Sequence, residues 1–509
     1  MLAKVKSAGI FGVEGYMIDV EVDISNGLPV FDIVGLPDLS IRESKERVRA
    51  AIKNSGFEFP IKRITVNMAP ADTKKEGPAF DLAIAIGILT ATGQIPVMTK
   101  PDPVFLGELS LDGTLKPISG VLPMLLSIRE ENEAVVLPYE NAEEASNVSE
   151  VAVYPYKTLA ELVECFRGKA GLTEYQKTCS HDAGFKPSFT DDFFDVKGQD
   201  AAKRALEVAA AGGHNIILMG PPGSGKTMLA KRLPTILPDL AYNEALEITK
   251  VYSVAGMLKE KEGIIGSRPF MSPHHTISSS ALVGGGRIPA PGQISLAHHG
   301  VLFLDELLEF KKDVLEVLRQ PLEDGEITIS RAQGSALFPC KFMLVASLNP
   351  CPCGFLGDSG HECTCTPNQI RRYLARISGP LLDRFDIHIE VPSLSFQKIS
   401  GDEKAESSSD IRERVNRARE IQVNRYKKDG IYYNSQLKPR QIRTFCKTDE
   451  LGNTLLERAF VSMRLSARAY DRILKVSRTI ADLEGSDNVE AGHIAEAIQY
   501  RSLDRQYWR

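Results

Sequence analysis

The sequence predicts an α/β multidomain protein: a parallel-sheet core flanked by a smaller α+β domain and a helical domain. Three observations predict it. The chain has 509 residues, which at roughly 100–200 residues per domain suggests about three domains. A glycine-rich strand–loop–helix pattern at 215–233 lies near its middle. The hydrophobic periodicity also changes character twice, across polar stretches near 169–190 and 395–410. The expected division is residues 1–168, a linker at 169–190, a core at 191–397 and a helical domain at 398–509.

Composition bounds the function. With 43% hydrophobic and 25% charged residues, the chain has material for large cores, which excludes extensive disorder. Sixty-one Lys+Arg against sixty-six Asp+Glu give a net charge of −5. An overall basic coat is thereby excluded, but a local phosphate-binding patch is not. The longest apolar stretch, 82–93, is too short for a bilayer and reads as a buried helix. No targeting segment is visible, so a cytoplasmic protein without a membrane partner is expected. Eight cysteines are too few for a disulfide scaffold, yet four fall between 351 and 365.

The first region alternates β-rich runs (MIDVEVDI, ITVNM, AVVLP) with helical stretches. In 41–56, Ile41, Val48 and Ile52 share one side of a helix that stops at Gly56. Lys62, Arg63, Lys74 and Lys75 are candidates for a basic surface, or an ordinary solvated face.

The core carries the chemistry. NIILMGPPGSGKTMLAKRL is an apolar strand, then Gly220-Pro221-Pro222-Gly223-Ser224-Gly225-Lys226-Thr227, then a helix. Glycines let backbone N–H groups wrap phosphates at a helix N-terminus. Lys226 is expected to reach the β- and γ-phosphates of ATP and Thr227 to ligate Mg²⁺. VLFLDE at 301–306 is a buried strand ending in two carboxylates. Asp305 is expected to help hold Mg²⁺, and Glu306 to polarise the attacking water. A further apolar strand, 341–350, ends in Asn349, a polar group able to align that water.

Between these strands, 269–300 holds His274-His275, His298-His299 and Gly284-Gly285-Gly286. Adjacent histidines converge poorly on a metal, and the glycines suggest a mobile loop. Residues 326–338 read as a hairpin around Gln333-Gly334, with Arg331 near its tip: an ordinary surface arginine or, should the tip line a ring channel, a candidate DNA contact. Cys351, Cys353, Cys363 and Cys365 form two close pairs around a Gly-rich loop, the pattern of a structural Zn²⁺ clip, with His361 as a possible substitute ligand. From 401 onward, 21 Lys+Arg face 17 Asp+Glu, and the excess lies in 412–430. That helix can face phosphates, or be an ordinary exposed helix.

These motifs resemble an AAA+ ATPase of the Mg-chelatase/MCM-like group, and along nearly the whole chain the Mg-chelatase-like ComM/YifB family. The resemblance implies that DVKGQDAAKRAL lines the adenine pocket, through Val196 and Gln199. It places an arginine finger at Arg384 in GPLLDRFDIHIEV and a sensor-2 position at Arg468 in LSARAYDRILKV. It also implies pore-facing insertions at 269–300 and at the 326–338 hairpin, a homo-hexamer, and translocation on DNA in natural transformation or recombination, that is, a branch-migration helicase. The competing implication is a protein-remodelling ATPase, such as a chelatase motor subunit or an unfoldase.

Residues 60–140 resemble the Lon-protease fold. Its serine position is Ala79 here and its lysine position Leu122. A methyl group cannot attack a carbonyl, so the resemblance argues against proteolysis.

Overall fold

The structure, a computed structural model, describes residues 1–71, 74–96, 103–128, 134–169, 171–176, 189–258, 263–286, 289–331, 334–358, 360–394 and 405–507. Gln333, most of the 169–190 stretch and the lone tryptophan, Trp508, lie outside the described residues.

The first sheet is built from a long hairpin. β1 (Leu2–Phe11) and β2 (Glu14–Ser25) pair antiparallel from Leu2↔Asp23 to Phe11↔Glu14. Along β2, Ile18, Val20, Val22 and Ile24 are buried between acidic neighbours, a strict two-residue period. β3 (Val30–Val34) is joined through α1 (Leu39–Asn54) to β4 (Arg63–Ala69), its parallel partner. Asp38 caps α1 by accepting the Ile41 N–H at 2.9 Å. The helix buries Ile41, Val48 and Ile52 as the spacing predicts. α2 (Asp81–Ala91) is buried on nearly all sides, as expected of the apolar stretch.

β5 (Val104–Phe105) extends the sheet, and β6 (Glu108–Leu109) and β7 (Leu115–Lys116) form a separate two-stranded pair. After α3 (Val121–Ile128), β8 (Ala134–Pro138), the short α4 (Ala142–Ala145) and β9 (Ala152–Tyr156), α5 (Leu159–Phe166) closes the unit. The seven strands run in the order β3-β4-β2-β1-β5-β8-β9. Ala79 and Leu122 are both buried in one apolar cluster with Val104, Leu106 and Val121.

The basic surface considered for this region does not form as a group. Lys75 is fully buried, with its ammonium on the Pro70 carbonyl, and Lys74 pairs with Glu76 at 2.6 Å.

The second sheet is parallel throughout. α6 (Asp200–Gly212) leads into β10 (Ile216–Met219), followed by α7 (Lys226–Arg232), α8 (Tyr242–Val254) and β11 (Phe270–Met271). Next come β12 (Gly284–Gly285), β13 (Ala290–Pro291), β14 (Val301–Leu304), the hairpin β15 (Glu326–Arg331) and β16 (Gly334–Pro339), then β17 (Met343–Leu348) and β18 (Ile387–Glu390). The sheet order is β11-β14-β17-β10-β18, and β10, β14 and β17 are wholly buried. Fully buried parallel strands read as continuous apolar runs, which is why NIILM, VLFL and MLVASL carry no alternation.

The glycine triplet at 284–286 differs from the mobile loop expected. Gly284 and Gly285 pair with Pro291 and Ala290 in β12–β13. A Cβ on Gly284 would stand 2.4 Å from the Ala290 carbonyl oxygen, so close backbone approach and not mobility selects glycine there.

The remaining helices, Ser408–Tyr426, Pro439–Phe445, Glu450–Ser462, Ala467–Leu483, Ala491–Gln499 and Ser502–Tyr507, form the C-terminal unit. Ile411, Val415, Ile473 and Ile480 share one apolar cluster with Ala202, Leu206 and Ala209 of α6. The arginines of 412–425 are largely committed within the molecule: Arg412 to Asp239, Arg414 to Glu207 and Glu406, Arg425 to Asp482. Arg419 lies over the Tyr433 ring at 3.8 Å. The helix is therefore a clamp on the core more than a free basic face.

The first unit docks on the second through α3 and α8. The Gly120 N–H donates to the Ser253 carbonyl at 3.1 Å, and the Ser253 hydroxyl donates to buried Glu144. Val13, at the β1–β2 turn, joins the apolar cluster of the β15–β16 hairpin with Ile327, Ile329 and Ala336. No helix among the described residues is long and apolar enough to cross a membrane.

Candidate nucleotide site

The loop after β10 is fixed where it leaves the strand. The Gly220 N–H donates to the Leu348 carbonyl at 3.2 Å, and a Cβ on Gly220 would lie 2.1 Å from the Val391 carbonyl oxygen. Gly223 and Gly225 adopt φ of 77° and 92°, where an L side chain is strained. α7 starts directly at Lys226, so the loop amides lie at a helix N-terminus.

Lys226 is buried beneath this loop. Its Nζ donates to the Gly220 and Pro221 carbonyls, each at 2.8 Å, and to Asn349 Oδ1 at 3.2 Å. Burial pushes the ammonium down to about 8, partly opposed by Asp305 and Glu306. The Thr227 hydroxyl donates to Asp305 Oδ2 at 2.8 Å. Ser347 donates to the other Asp305 oxygen and accepts the Glu306 N–H at 3.0 Å. Glu306 itself has φ 52° and an exposed carboxylate, with His275 Nδ1 4.0 Å away. Gln199, also left-handed at φ 60°, donates to the Ser224 carbonyl at 3.3 Å and to the Pro392 carbonyl at 2.7 Å. Val196 is fully buried nearby in the α6 core.

One end of the sheet thus gathers Lys226, Thr227, Asp305, Glu306, Asn349 and Gln199. Ser347 and His275 join them. Ser347 had one signal in the sequence, a polar residue in an apolar strand two positions before Asn349, hence on the same face. His275 had none.

The residues fit a nucleoside triphosphate with Mg²⁺. The Ser224 hydroxyl is buried inside the loop without a hydrogen-bond partner, and the close partners of Lys226 are neutral oxygens. Phosphate oxygens would satisfy both. Thr227 and Asp305 supply the hard oxygen donors that Mg²⁺ prefers.

Arg384 and Arg468 stand elsewhere. Asn215, the residue before β10, donates to the Arg384 carbonyl at 2.8 Å and accepts the Asp386 N–H at 2.9 Å. β10 then carries the chain through four residues to Gly220, or about 13 Å at ~3.3 Å per residue. Arg384 is therefore at the opposite end of the sheet from its own P-loop. It pairs with Glu323, and its Nε is buried without a partner. Arg468 lies beside it, 3.6 Å from Asp383 and mostly exposed. Arg472, one helical turn on, holds Asp383 at 3.5 Å and Asp386 at 3.6 Å. Arg384, Arg468 and Arg472 line one cleft of about 950 Å³.

The histidine pair at 298–299 meets an acid supplied by α8. Both Nε2 atoms lie 2.9 Å from Glu247 Oε2. His298 Nδ1 accepts the Lys341 N–H at 3.0 Å, so its Nε2 carries the proton and donates to Glu247. That is a hydrogen-bonded triad around Glu247.

The four cysteines do converge. Cys351 Sγ is 3.3 Å from Cys353 Sγ and 3.7 Å from Cys363 Sγ, and the Cys353 N–H points to Cys365 Sγ at 3.4 Å. All four sulfurs lie within 4.8 Å of one another. His361 is outside the group, paired with Asp358 at 3.2 Å and set against the Phe355 ring. The Phe355 N–H favours the Cys353 thiolate. The β15–β16 hairpin exists as expected, Arg331 opposite Gly334, but the Arg331 side chain lies outside the described residues.

A glycine-rich loop after a central parallel strand, a polar residue ending the neighbouring strand, carboxylates ending the strand beyond it and a helical unit against the core define the AAA+ fold. Comparison with known proteins agrees. The profile of magnesium chelatase, subunit ChlI, matches residues 192–399, with further ChlI profiles at 20–141 and, for the C-terminal part, 405–501. The chain is 46% identical to the competence protein ComM of Haemophilus influenzae over 510 residues, 99% of this chain and 98% of that one. It is 42% identical to YifB of Salmonella typhimurium over 99% and 98%. Lon protease 2 of Bacillus subtilis is 26% identical over 168 residues, 30% of each chain. The chain belongs to the ComM/YifB family of Mg-chelatase-like AAA+ proteins, with a Lon-like N-terminal part.

Proposed function

We propose that the protein is an Mg²⁺-dependent ATP hydrolase that works as a ring, a homo-hexamer, and uses hydrolysis to move DNA. The observation that carries the ring is the position of Arg384, which faces away from its own P-loop. An arginine finger placed there can serve only a neighbour.

Each residue then has a task. Lys226 neutralises phosphate charge, and Thr227 and Asp305 would hold the cation, which when bound would supply charge shielding for the transferred phosphoryl group. Ser347 fixes Asp305 in place. Glu306 takes up the proton of the attacking water, and Asn349 orients that water. Val196 and Gln199 border the base. Arg384 and Arg468 of the adjacent copy approach the γ-phosphate from the cleft side. The tie of Arg384 to Glu323, whose side chain is 62% exposed, is worth only about 0–1 kcal/mol and does not withhold the arginine. The four thiolates are read as a structural Zn²⁺ site. With Ala79 and Leu122 in an apolar cluster, the Lon-like unit is read as a docking element without protease activity.

Nucleotide affinity follows from the Lys226 shift. Phosphate binding raises its pKa above the value of about 8 in the free protein. The bound state then holds more protons above that pH. Affinity should be flat below pH 8 and fall by up to about tenfold per unit above it, as measured by equilibrium titration with a fluorescent ATP analogue.

DNA as the substrate rests on the relative named for competence and on the hairpin that carries Arg331. The test is ATP turnover with single-stranded, duplex or branched DNA, or unfolded protein, with Lys226→Ala as the blank. Branched DNA should raise the rate several-fold. Stimulation by unfolded protein alone would favour protein remodelling, and a rate unmoved by any DNA would remove the DNA motor.

A further inference from the structure

The cysteine knuckle touches the nucleotide site in three ways. By chain, Cys351 follows Asn349 after a single proline. By packing, Gly354 lies against the P-loop: a Cβ there would stand 2.5 Å from Pro222 Cδ and 2.7 Å from its Cγ. By hydrogen bonding, Asp358 accepts the Ser393 hydroxyl at 2.7 Å, and the adjacent Pro392 carbonyl accepts from Gln199 at 2.7 Å. Gln199 in turn donates to the Ser224 carbonyl inside the loop. A cavity of about 220 Å³ separates Gly220 and Pro221 from Leu356 and Asp358.

We propose that Cys351, Cys353, Cys363 and Cys365 hold one zinc-class divalent ion, and that the ion-closed knuckle is a strut that fixes the P-loop and Asn349 in their nucleotide-binding positions. The strut rests on the nucleotide reading above. The metal site does not.

The sulfur geometry matches the ion. Four thiolates about 2.3 Å from a tetrahedral centre stand about 3.8 Å apart. Sulfurs at 3.3, 3.6 and 3.7 Å approximate that spacing. The knuckle has little else to close it: Cys351 is its one fully buried cysteine, and Cys353, Cys363 and Cys365 are half-buried. Without the ion, the knuckle is left with its turn bond, from the Gly354 N–H to the Cys351 carbonyl at 3.0 Å, and with the Asp358–Ser393 bond, and the rear support of the loop that carries Lys226 loosens. A nucleotide site that loses its geometry by an ångström loses about two orders of magnitude in rate, and binding weakens with it.

The test is metal content, then nucleotide affinity. Full-length protein purified without chelator should contain one zinc per chain, and cobalt(II) exchanged into it should show thiolate charge-transfer absorption. Cys363→Ser/Cys365→Ser should abolish both signals. Removing zinc from the wild-type chain should weaken binding of a fluorescent ATP analogue about tenfold or more, and adding zinc back should restore it. That reversal separates the effect from misfolding of a variant. Gly354→Ala keeps all four thiols but adds a Cβ against Pro222 at φ 88°, so its zinc content is measured alongside; with zinc retained it should bind nucleotide more weakly. A chain that takes up no zinc overturns the metal site. Zinc bound and removable with no change in nucleotide affinity overturns the strut. A zinc-loaded chain that binds no ATP overturns the nucleotide reading, and the strut with it, and leaves the metal site standing.

Discussion

Arg384→Ala is expected to lower ATP turnover by about 10³-fold or more, with nucleotide affinity of the isolated subunit unchanged. The size follows from the reaction. Phosphoryl transfer is driven mainly by positioning and by neutralising charge on the γ-phosphate oxygens, so a guanidinium supplied there stabilises the transition state far more than the ground state. The insensitivity of affinity follows from place. Arg384 is tied to Asn215 before β10, whereas the P-loop follows β10. Steady-state turnover and ATP-analogue titration on the same preparation read the two quantities separately. Arg384→Lys keeps the charge but not the planar fork and should recover only a small part of the rate.

Glu306→Gln is expected to lower turnover by about 10²- to 10⁴-fold and to leave ATP bound. The amide is nearly the same size and cannot accept a proton. Glu306 makes no hydrogen bond through its side chain that holds the P-loop; its backbone N–H, which remains, is what meets Ser347. Asp305 keeps its bonds to Thr227 and Ser347, so the cation donors stay in place. The variant should therefore retain nucleotide, observable as ATP and not ADP recovered from the protein after a single-turnover incubation. Lys226→Ala is expected to behave oppositely, losing affinity first, because its ammonium is the buried positive charge inside the loop.

Much of the nucleotide end was legible in the sequence because its elements are local. The P-loop, the carboxylate pair and Asn349 each end a buried apolar strand, and in a parallel sheet strand ends of the same polarity gather on one edge. Gly223 and Gly225 announce the turn by their residue type alone. Contacts made across the fold were less accessible. Ser347 looked like one polar residue in an apolar run, and its value depends on β17 lying between β10 and β14. The acid beside His298 and His299 is Glu247 on α8, some fifty residues upstream in the chain. The glycines at 284–286 signalled conformational freedom but not its use, which is close packing against Ala290 and Gly292. The arginines of 412–425 read as a basic face because their partners, Asp239, Glu207 and Asp482, belong to other helices and loops.

Arg472 shows the same limit. Spaced four residues from Arg468, it could be assigned to the same helix face from sequence. Its hold on Asp383 and Asp386 depends on β18 and the helix Ala467–Leu483 meeting at the lower edge of the sheet.

Mixing Lys226→Ala subunits with Arg384→Ala subunits tests directly whether each nucleotide site is shared between two copies of the chain. Each variant alone should be inactive. In a mixed ring, an intact P-loop on an Arg384→Ala subunit can meet an intact Arg384 from its Lys226→Ala neighbour, so ATP turnover should reappear and peak near equal proportions. Mixed assemblies that form, by size, yet stay as inactive as either variant alone would contradict the shared site.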